Sequence, residues 1–500
     1  MDLTDAENLA RALSGLLNEA RRSIDEGRES PELVARVTGH LGCDLRRVVN
    51  VAESFPSWEH VNLQRGTDAY LAAYSPGAEW AGVTGQGREH TELVDMLVSA
   101  ARGWERFEPG AVDYATAATG PDRTTEVVSL GLVLTRSPEG VPVVLSLRGP
   151  HEHGAPECRL VVLAPDRASA TATRDEVERL MRADDVYRGQ VLSFQWSEHR
   201  GNDLVTFLPR PDLDAEQVIL PEGVLGTIER HIVGIGEQAD RLRAHGQHLK
   251  RGLLLHGPPG TGKTHTVRYL MGRMTGCTVI VMTGAAIRFV AQAAGLARRL
   301  QPAIVVLEDV DLVARDRSFT EDGNPLLFAL LDAMDGVGAD ADITFVLTTN
   351  RADVLERALA DRPGRVDLAV EIPRPDAAGR AALLRLYARD LRLEADLEPV
   401  VARTEGATAS FFKELLRRAV LSALRAGDGT PVLTDEHVGR ALEEMLGERE
   451  ALTRSLIGAG ERGPDGYEDE EDAAEFPVVT GGGPVPGAYV SRLRLDFDGP

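Results

Sequence analysis

The spacing of apolar residues changes several times along this chain, and each change marks a different kind of element. Leu9, Leu13, Leu16, Leu17, Ala20 and Ile24 recur at helical period behind Thr4 and Glu7, which stand at capping-box distance, so the chain is expected to open with an amphipathic helix. A second helix is expected after Ser30-Pro31, with Leu33, Val34, Val37 and Leu41 as its apolar face and Gly42 as its stop. The reading stays mainly helical over residues 1–119. Trp58, Tyr70, Tyr74, Trp80 and Trp104 are spread through it and are expected in the core rather than on a partner-binding surface.

From about Glu126 the period becomes that of strands. VVSLGLVL, the turn SPEG and VPVVLSLR read as a hairpin, and CRLVVLA as a third strand. Thr173 and Glu176 are expected to cap a short helix through Met181, and VLSFQ and LVTFL to add two strands, which makes residues 120–208 an α+β module. Residues 209–223, punctuated by proline and charge, read as a linker. His151, Glu152 and His153 are adjacent on a Pro- and Gly-flanked turn, where their side chains diverge and no third ligand is evident, so a metal is not expected there. Residues 448–500, with YEDEEDAAE and TGGGPVPG, read as an acidic, Gly/Pro-rich disordered tail, in which VSRLRLDF is a candidate terminal strand.

Between linker and tail, three apolar runs each end in chemistry. LLLHGPPGTGKT, Leu253 to Thr264, stops at a glycine-rich loop and is followed by a helical stretch, His265 to Met274. Gly257, Gly262, Lys263 and Thr264 satisfy the spacing G-x-x-x-x-G-K-[ST], in which the backbone N–H groups of the loop and the positive end of the next helix form an anion cradle. The whole loop, with Pro258, Pro259, Gly260, Thr261 and His265, is therefore expected to bind nucleotide phosphates, with Lys263 on the β and γ groups and Thr264 on Mg2+. Of 55 basic residues, Lys250, Lys263 and Lys413 are the lysines, and one of them falls at the position where a compact ammonium fits and a planar guanidinium does not.

The second run, Ala303 to Leu307, delivers Glu308, Asp309 and, two residues on, Asp311. A parallel sheet sets such a strand end beside the phosphate loop, so Glu308 is expected to orient the metal and Asp309 to polarise the attacking water. The third run, Ile343 to Leu347, ends in Thr348-Thr349-Asn350, and Asn350 is the candidate to align that water. Arg362 and Arg365 follow in RPGRV and are candidates for arginine fingers reaching a neighbouring subunit's γ-phosphate, a contribution of about 10^3 to 10^5 in rate elsewhere.

Composition narrows the partners. Five hundred residues with 43% hydrophobic content allow about three domains with real cores. The net charge of -23 argues against broad binding to nucleic acid or anionic membrane. Cys43, Cys158 and Cys277 lack CxxC spacing, which points to a reducing compartment, expected to be the cytoplasm. Neither a signal peptide nor an uncharged run of spanning length is visible, so no membrane anchor is expected.

GPPGTGKT, VVLEDVD, TTN and DRPGRVDL, in this order and spacing, resemble the AAA clade of AAA+ ATPases over about residues 224–447. That resemblance implies a P-loop, doubly wound parallel α/β domain over 224–373, a helical lid over 374–447, ATP and Mg2+ as cofactors, and a homo-oligomeric ring, usually a hexamer. Ile232 and Gly234, with Val233 between them, sit where the family cups the adenine, and Ala409-Ser410 sits at the turn where its lid closes over the nucleotide. The acid order Glu308-Asp309 is the reverse of the usual one. It resembles the mitochondrial AAA proteins that translocate the Rieske iron–sulfur subunit, although no membrane helix is seen here. The segment between Val281 and Pro302 is about seven residues shorter than in classical unfoldases and offers only Arg288-Phe289-Val290 as a pore loop, with Phe289 expected in the core. The expectation is an ATP-hydrolysing, chaperone-like ring that remodels a protein client. A nucleotide-gated scaffold and a DNA-directed motor are the alternatives, and the absence of HExxH speaks against proteolysis.

Overall fold

A computed structural model describes residues 31–150, 157–194, 205–313, 329, 332–338, 340–351, 366–426 and 431–456. The helix expected over Leu9–Ile24, the turn at His151, Arg362 and Arg365, and the tail from residue 457 lie outside them. Residues to Leu442 form one compact unit, and those from Glu443 onward belong to another.

The first half of the chain folds on a seven-stranded antiparallel sheet. Its strands are β1 (Val49–Pro56), β2 (Trp80–Thr84), β3 (Glu108–Gly110), β4 (Asp113–Gly120), β5 (Arg123–Arg136), β6 (Pro142–Arg148) and β7 (Glu157–Ala164). They run in the order β1-β7-β6-β5-β2-β3, with β4 paired to β5. Helices α1 (Glu32–Leu41) and α3 (Leu93–Arg102) pack on Leu132, Val144 and Val161, while α2 (His60–Tyr74) and α4 (Arg167–Ala183) pack on Val133, Val143, Leu145 and Val162. Alternate residues of one strand thus enter opposite cores. That is why these strands read as continuous apolar runs rather than as alternations.

Several expectations change here. The stretch read as mainly helical also supplies β1 to β4, whose short lengths and mixed composition give little period to read. Helix α4 starts earlier than expected: the Asp166 carboxylate accepts Ser169 N–H at 2.9 Å and caps it, and Thr173 lies buried inside the helix, accepting the Tyr70 hydroxyl at 3.3 Å. Tyr70 is buried, and Trp58, Tyr74 and Trp80 pack against core clusters, but Trp104 is 69% exposed under the Arg102 guanidinium.

A second sheet organises the rest. It consists of β8 (Val191–Phe194), β9 (Val205–Leu208), β10 (Arg251–His256), β11 (Thr278–Thr283), β12 (Ala303–Glu308), β13 (Ile343–Thr349) and β14 (Leu368–Glu371), in the order β14-β10-β13-β12-β11-β8-β9. Every pairing is parallel except that of the edge strand β9. Helices α5 (Val224–Glu237) and α7 (Lys263–Arg273) cover one face, and α8 (Val290–Arg299) covers the other. Short helices α6 (Ala239–Ala244) and α9 (Val310–Val313) lie in the connections. This is the doubly wound α/β arrangement that the sequence predicts.

Strands β8 and β9 were expected in the α+β module, yet β8 pairs with β11, Val191 opposite Val279. Four-residue apolar strands carry no information about their partner. Arg210, in the stretch read as linker, fastens the added pair: its guanidinium donates to the carbonyls of Met271, Met274, Gly189 and Cys277 at 2.6, 3.2, 3.0 and 2.8 Å. Farther along the seam with the first module, Arg299 pairs with the buried carboxylates of Glu59 and Asp185, and Arg188 donates back to the carbonyls of Arg299 and Gln301. Beyond β14 come α10 (Ala377–Ala388), α11 (Glu398–Arg403), α12 (Ala409–Ala426) and α13 (Asp435–Leu456), with β15 (Arg392–Leu393) and β16 (Val432–Leu433) as a small parallel pair.

Candidate nucleotide-binding site

The site lies at the carboxyl ends of β10, β12 and β13, which are neighbours in the sheet. After His256 the chain turns through Gly257 at φ 139° and Gly260 at φ 77° before α7 begins at Lys263. A Cβ at Gly257 would stand 2.3 Å from the Ile372 carbonyl oxygen, and one at Gly260 would stand 3.0 Å from the hydroxyls of Thr408 and Ser410. Glycine is therefore demanded twice, by backbone angle and by close approach. Pro258 and Pro259 lie in this turn, and the Pro258 carbonyl accepts the Thr261 hydroxyl at 2.9 Å.

Lys263 is 6% exposed, and its ammonium donates to the carbonyls of Gly257 at 2.8 Å and Pro258 at 2.9 Å and to Asn350 Oδ1 at 2.7 Å. The other end of that amide, Asn350 Nδ2, donates to Asp309 Oδ1 at 3.2 Å. Lysine, amide and carboxylate thus form one chain across three strand ends. Burial lowers the Lys263 pKa, and the charges of Asp309 and Asp311 push it back up.

Asp309 has φ 52°, the only positive value on a non-glycine residue among the described residues, and its N–H donates to Thr348 Oγ1 at 3.0 Å. Aspartate tolerates this left-handed geometry better than most residues, at a cost on the order of 1 kcal/mol. It turns the carboxylate off the line of β12 and toward Asn350. Glu308, one residue earlier, accepts a hydrogen bond from the Thr264 side chain. Burial pushes its carboxyl pKa up, the Thr264 bond opposes that, and the Asp309 charge adds to it. A half-buried carboxylate beside a hydroxyl is an all-oxygen donor set that suits Mg2+, with the Arg268 charge also acting on it.

Other expected residues fall elsewhere. Ile232 is fully buried against Leu253 and its neighbours in mid-helix of α5, so its side chain presents no surface for a base, whereas Gly234, in the same helix, is half-buried. His265 Nε2 instead meets the Gln217 carbonyl at 3.0 Å, which brings residues 217–220, read as linker, alongside α7. Ala409-Ser410 opens α12, and Ser410 N–H donates to the Gly260 carbonyl at 3.3 Å, so the helix after the sheet touches the glycine loop directly. The segment Gly284–Phe289 is a tight 3-10 turn rather than a projecting loop, with Phe289 packed on the core cluster around α8. Asp311, to which the sequence assigns no role, joins the site: its Oδ1 accepts from both Thr349 Oγ1 and Asn350 N–H at 3.0 Å.

A doubly wound parallel sheet with a glycine loop between its strand β10 and helix α7, and with acids at the end of β12, defines an α/β P-loop fold of the AAA+ type. Residues 253–374 match the family described as "ATPase family associated with various cellular activities (AAA)". The chain is similar to ATP-dependent zinc metalloprotease FtsH 2 of Symbiobacterium thermophilum, 32% identical over 279 residues, which are 52% of this chain and 47% of that protein. It is similar to FtsH 3 of Sphaerobacter thermophilus, 32% identical over 312 residues, 58% of this chain and 63% of the relative. The Proteasome-activating nucleotidase of Thermococcus onnurineus is 31% identical over 220 residues, 41% of this chain and 54% of the relative. The chain thus spans roughly half to three fifths of these curated relatives, and the likeness reaches only part of its own length. Among the described residues no helix is long and apolar enough to cross a membrane.

Proposed function

We infer that this chain is an ATP hydrolase that works as a homo-oligomeric ring, a hexamer by analogy, and remodels a protein client. The observation that carries the hydrolase reading is the bonded series Lys263, Asn350, Asp309 at three neighbouring strand ends. In this reading the loop Gly257–Thr264 cradles the phosphates and Lys263 exchanges its loop carbonyls and Asn350 for phosphate oxygens. Asn350, released from the ammonium, holds the attacking water, and Asp309 takes its proton. Thr264 and Glu308 would hold Mg2+, which when bound neutralises charge on the phosphates. Gln217 beside His265 supports residues 217–220, rather than Ile232 and Gly234, as the flank of the base. Arg362 and Arg365 would act on the neighbouring subunit's γ-phosphate.

The client reading is supported by the relatives, whose printed names are those of a protease and a proteasome activator. The turn at Gly284–Phe289 argues for a pull exerted through the first module rather than through a threading loop. The test is phosphate release by the full chain with Mg2+ and ATP, which Lys263→Ala should abolish. The Asp309→Asn protein, loaded with ATP, should then retain a protein from lysate that wild type with ADP does not. A wild-type rate equal to that of Lys263→Ala would end the hydrolase reading, and identical retention by both loaded forms would end the client reading.

A further inference from the structure

Asp311 is 4% exposed, and a carboxylate that far from water needs its acceptor capacity filled. Its Oδ1 takes two donors from the next strand end: the Thr349 hydroxyl and the Asn350 backbone N–H, each at 3.0 Å. Thr349 Oγ1 in turn accepts Arg351 N–H at 3.0 Å, which tightens the same turn. One step back, Asp309 N–H donates to Thr348 Oγ1. The ends of β12 and β13 are therefore laced together at Thr348, Thr349 and Asn350, beyond the last register pair, Leu307 opposite Leu347. Asn350 follows the last residue of β13, and without a lateral tie its backbone would be free to rotate about that end. With the tie, its amide can meet Lys263 on one side and Asp309 on the other.

We propose that Asp311 is a positioning residue for hydrolysis: through Oδ1 it fixes the Thr349-Asn350 turn, and so the direction in which the Asn350 amide faces. This deepens the hydrolase reading and rests on it. Asp311 touches neither Lys263 nor the glycine loop in any bond described, so its removal should spare nucleotide binding and slow turnover. The requirement is for an acceptor in one place rather than for a charge, because a single oxygen receives both donors.

The experiment compares Asp311→Ala and Asp311→Asn in the full chain. Asp311→Ala should lower kcat about tenfold or more, as expected for a misplaced aligning group, with KM and the Kd for fluorescent ATP within about threefold. Asp311→Asn keeps an oxygen at the same position and should restore kcat to within about threefold of wild type. Hydrogen exchange of the peptide spanning residues 343–351 should be faster in the alanine variant and near normal in the asparagine variant. Should Asp311→Ala fail to fold, Thr349→Val removes one of the two donors more gently and should lower kcat without moving Kd. A folded Asp311→Ala with wild-type kcat, or an asparagine variant no better than alanine, overturns the assignment while Lys263-dependent turnover persists. Absence of Lys263-dependent turnover in the wild type removes the hydrolase reading and this role with it.

Discussion

The Lys263 ammonium and the Asn350 side-chain oxygen lie 2.7 Å apart, so the cation of the glycine loop is engaged by β13, the strand beside its own. In the function proposed above, nucleotide binding and the alignment of water would thus draw on one hydrogen-bonded contact, and changes at either end should be felt at the other.

Lys263→Ala is expected to abolish ATP binding in isothermal titration, because the phosphates lose the buried ammonium that the loop otherwise supplies. Lys250, just ahead of β10, lies outside the loop, and Lys250→Ala should stay within a few-fold of wild type. Equal losses would mean that the loop does not carry the phosphates.

Arg362 and Arg365 stand far along the sequence from the loop, as a group acting across a subunit boundary can. Chains carrying Arg365→Ala should be inactive alone, as should Lys263→Ala chains. Mixing the two should restore measurable hydrolysis, because some mixed interfaces pair an intact loop with an intact finger. Background rates from rings shown by gel filtration to be mixed would rule out action in trans.

The sheet and its glycine loop were legible from the sequence because β10, β12 and β13 are largely apolar runs that stop at chemically distinctive residues: His256, Glu308, Thr349. Lys263, Asp309 and Asn350, singled out from the same runs, are brought together by the fold. Ile232, set at the base flank by its position in the sequence, has its side chain on a helix face buried in the core, and helical period marks a buried face without saying what covers it. β8 and β9 were legible as strands and not as neighbours of β11, since pairing is decided by long-range packing. Asp311 was visible and unread, because its importance lies in two donors supplied by a strand about forty residues away.

Arg210 should matter to stability out of proportion to its place in a proline-punctuated connection. Arg210→Ala removes donors to four carbonyls. We expect a loss of about 2 to 3 kcal/mol, near the upper end for hydrogen bonds from a charged group, read as an earlier denaturation midpoint. Arg210→Lys should recover only part, since an ammonium cannot fork between two pairs of acceptors. A midpoint unchanged by Arg210→Ala would show the carbonyls to be satisfied without it.

Phe289 is half-buried against the cluster around α8. Phe289→Ala should cost about 2 kcal/mol, less than the 3 to 5 of a fully buried phenylalanine, and should leave basal hydrolysis intact. An unchanged melting temperature with loss of client remodelling would place the ring in the pore.

His60 is buried between α2 and β5, where its Nε2–H donates to the Val128 carbonyl at 2.8 Å. Burial holds its pKa below the ordinary histidine value, with the carbonyl opposing. The unfolded chain takes up a proton there that the folded chain refuses, so this contribution is complete above about pH 6.5 and is lost as the pH falls below it. The stability difference between wild type and His60→Gln, followed by denaturant titration, should therefore shrink from pH 7.5 to about 5.5. A difference constant over that range would show that the ring titrates alike in both states.

β9 closes the outer edge of the second sheet by running against the direction of its neighbours, and it is drawn from chain that precedes the glycine loop by about fifty residues. Anyone wishing to isolate the ATPase half would naturally cut at the prolines near residue 210. Such a fragment would begin its sheet at β11, leaving the four apolar residues Val279 to Met282, which β8 otherwise pairs, with free N–H and C=O groups along one side, the kind of margin at which sheets of separate molecules join. The shorter fragment should precipitate where one beginning ahead of β8 remains dispersed, so the boundary at which this half can be handled alone lies upstream of the boundary its punctuation advertises.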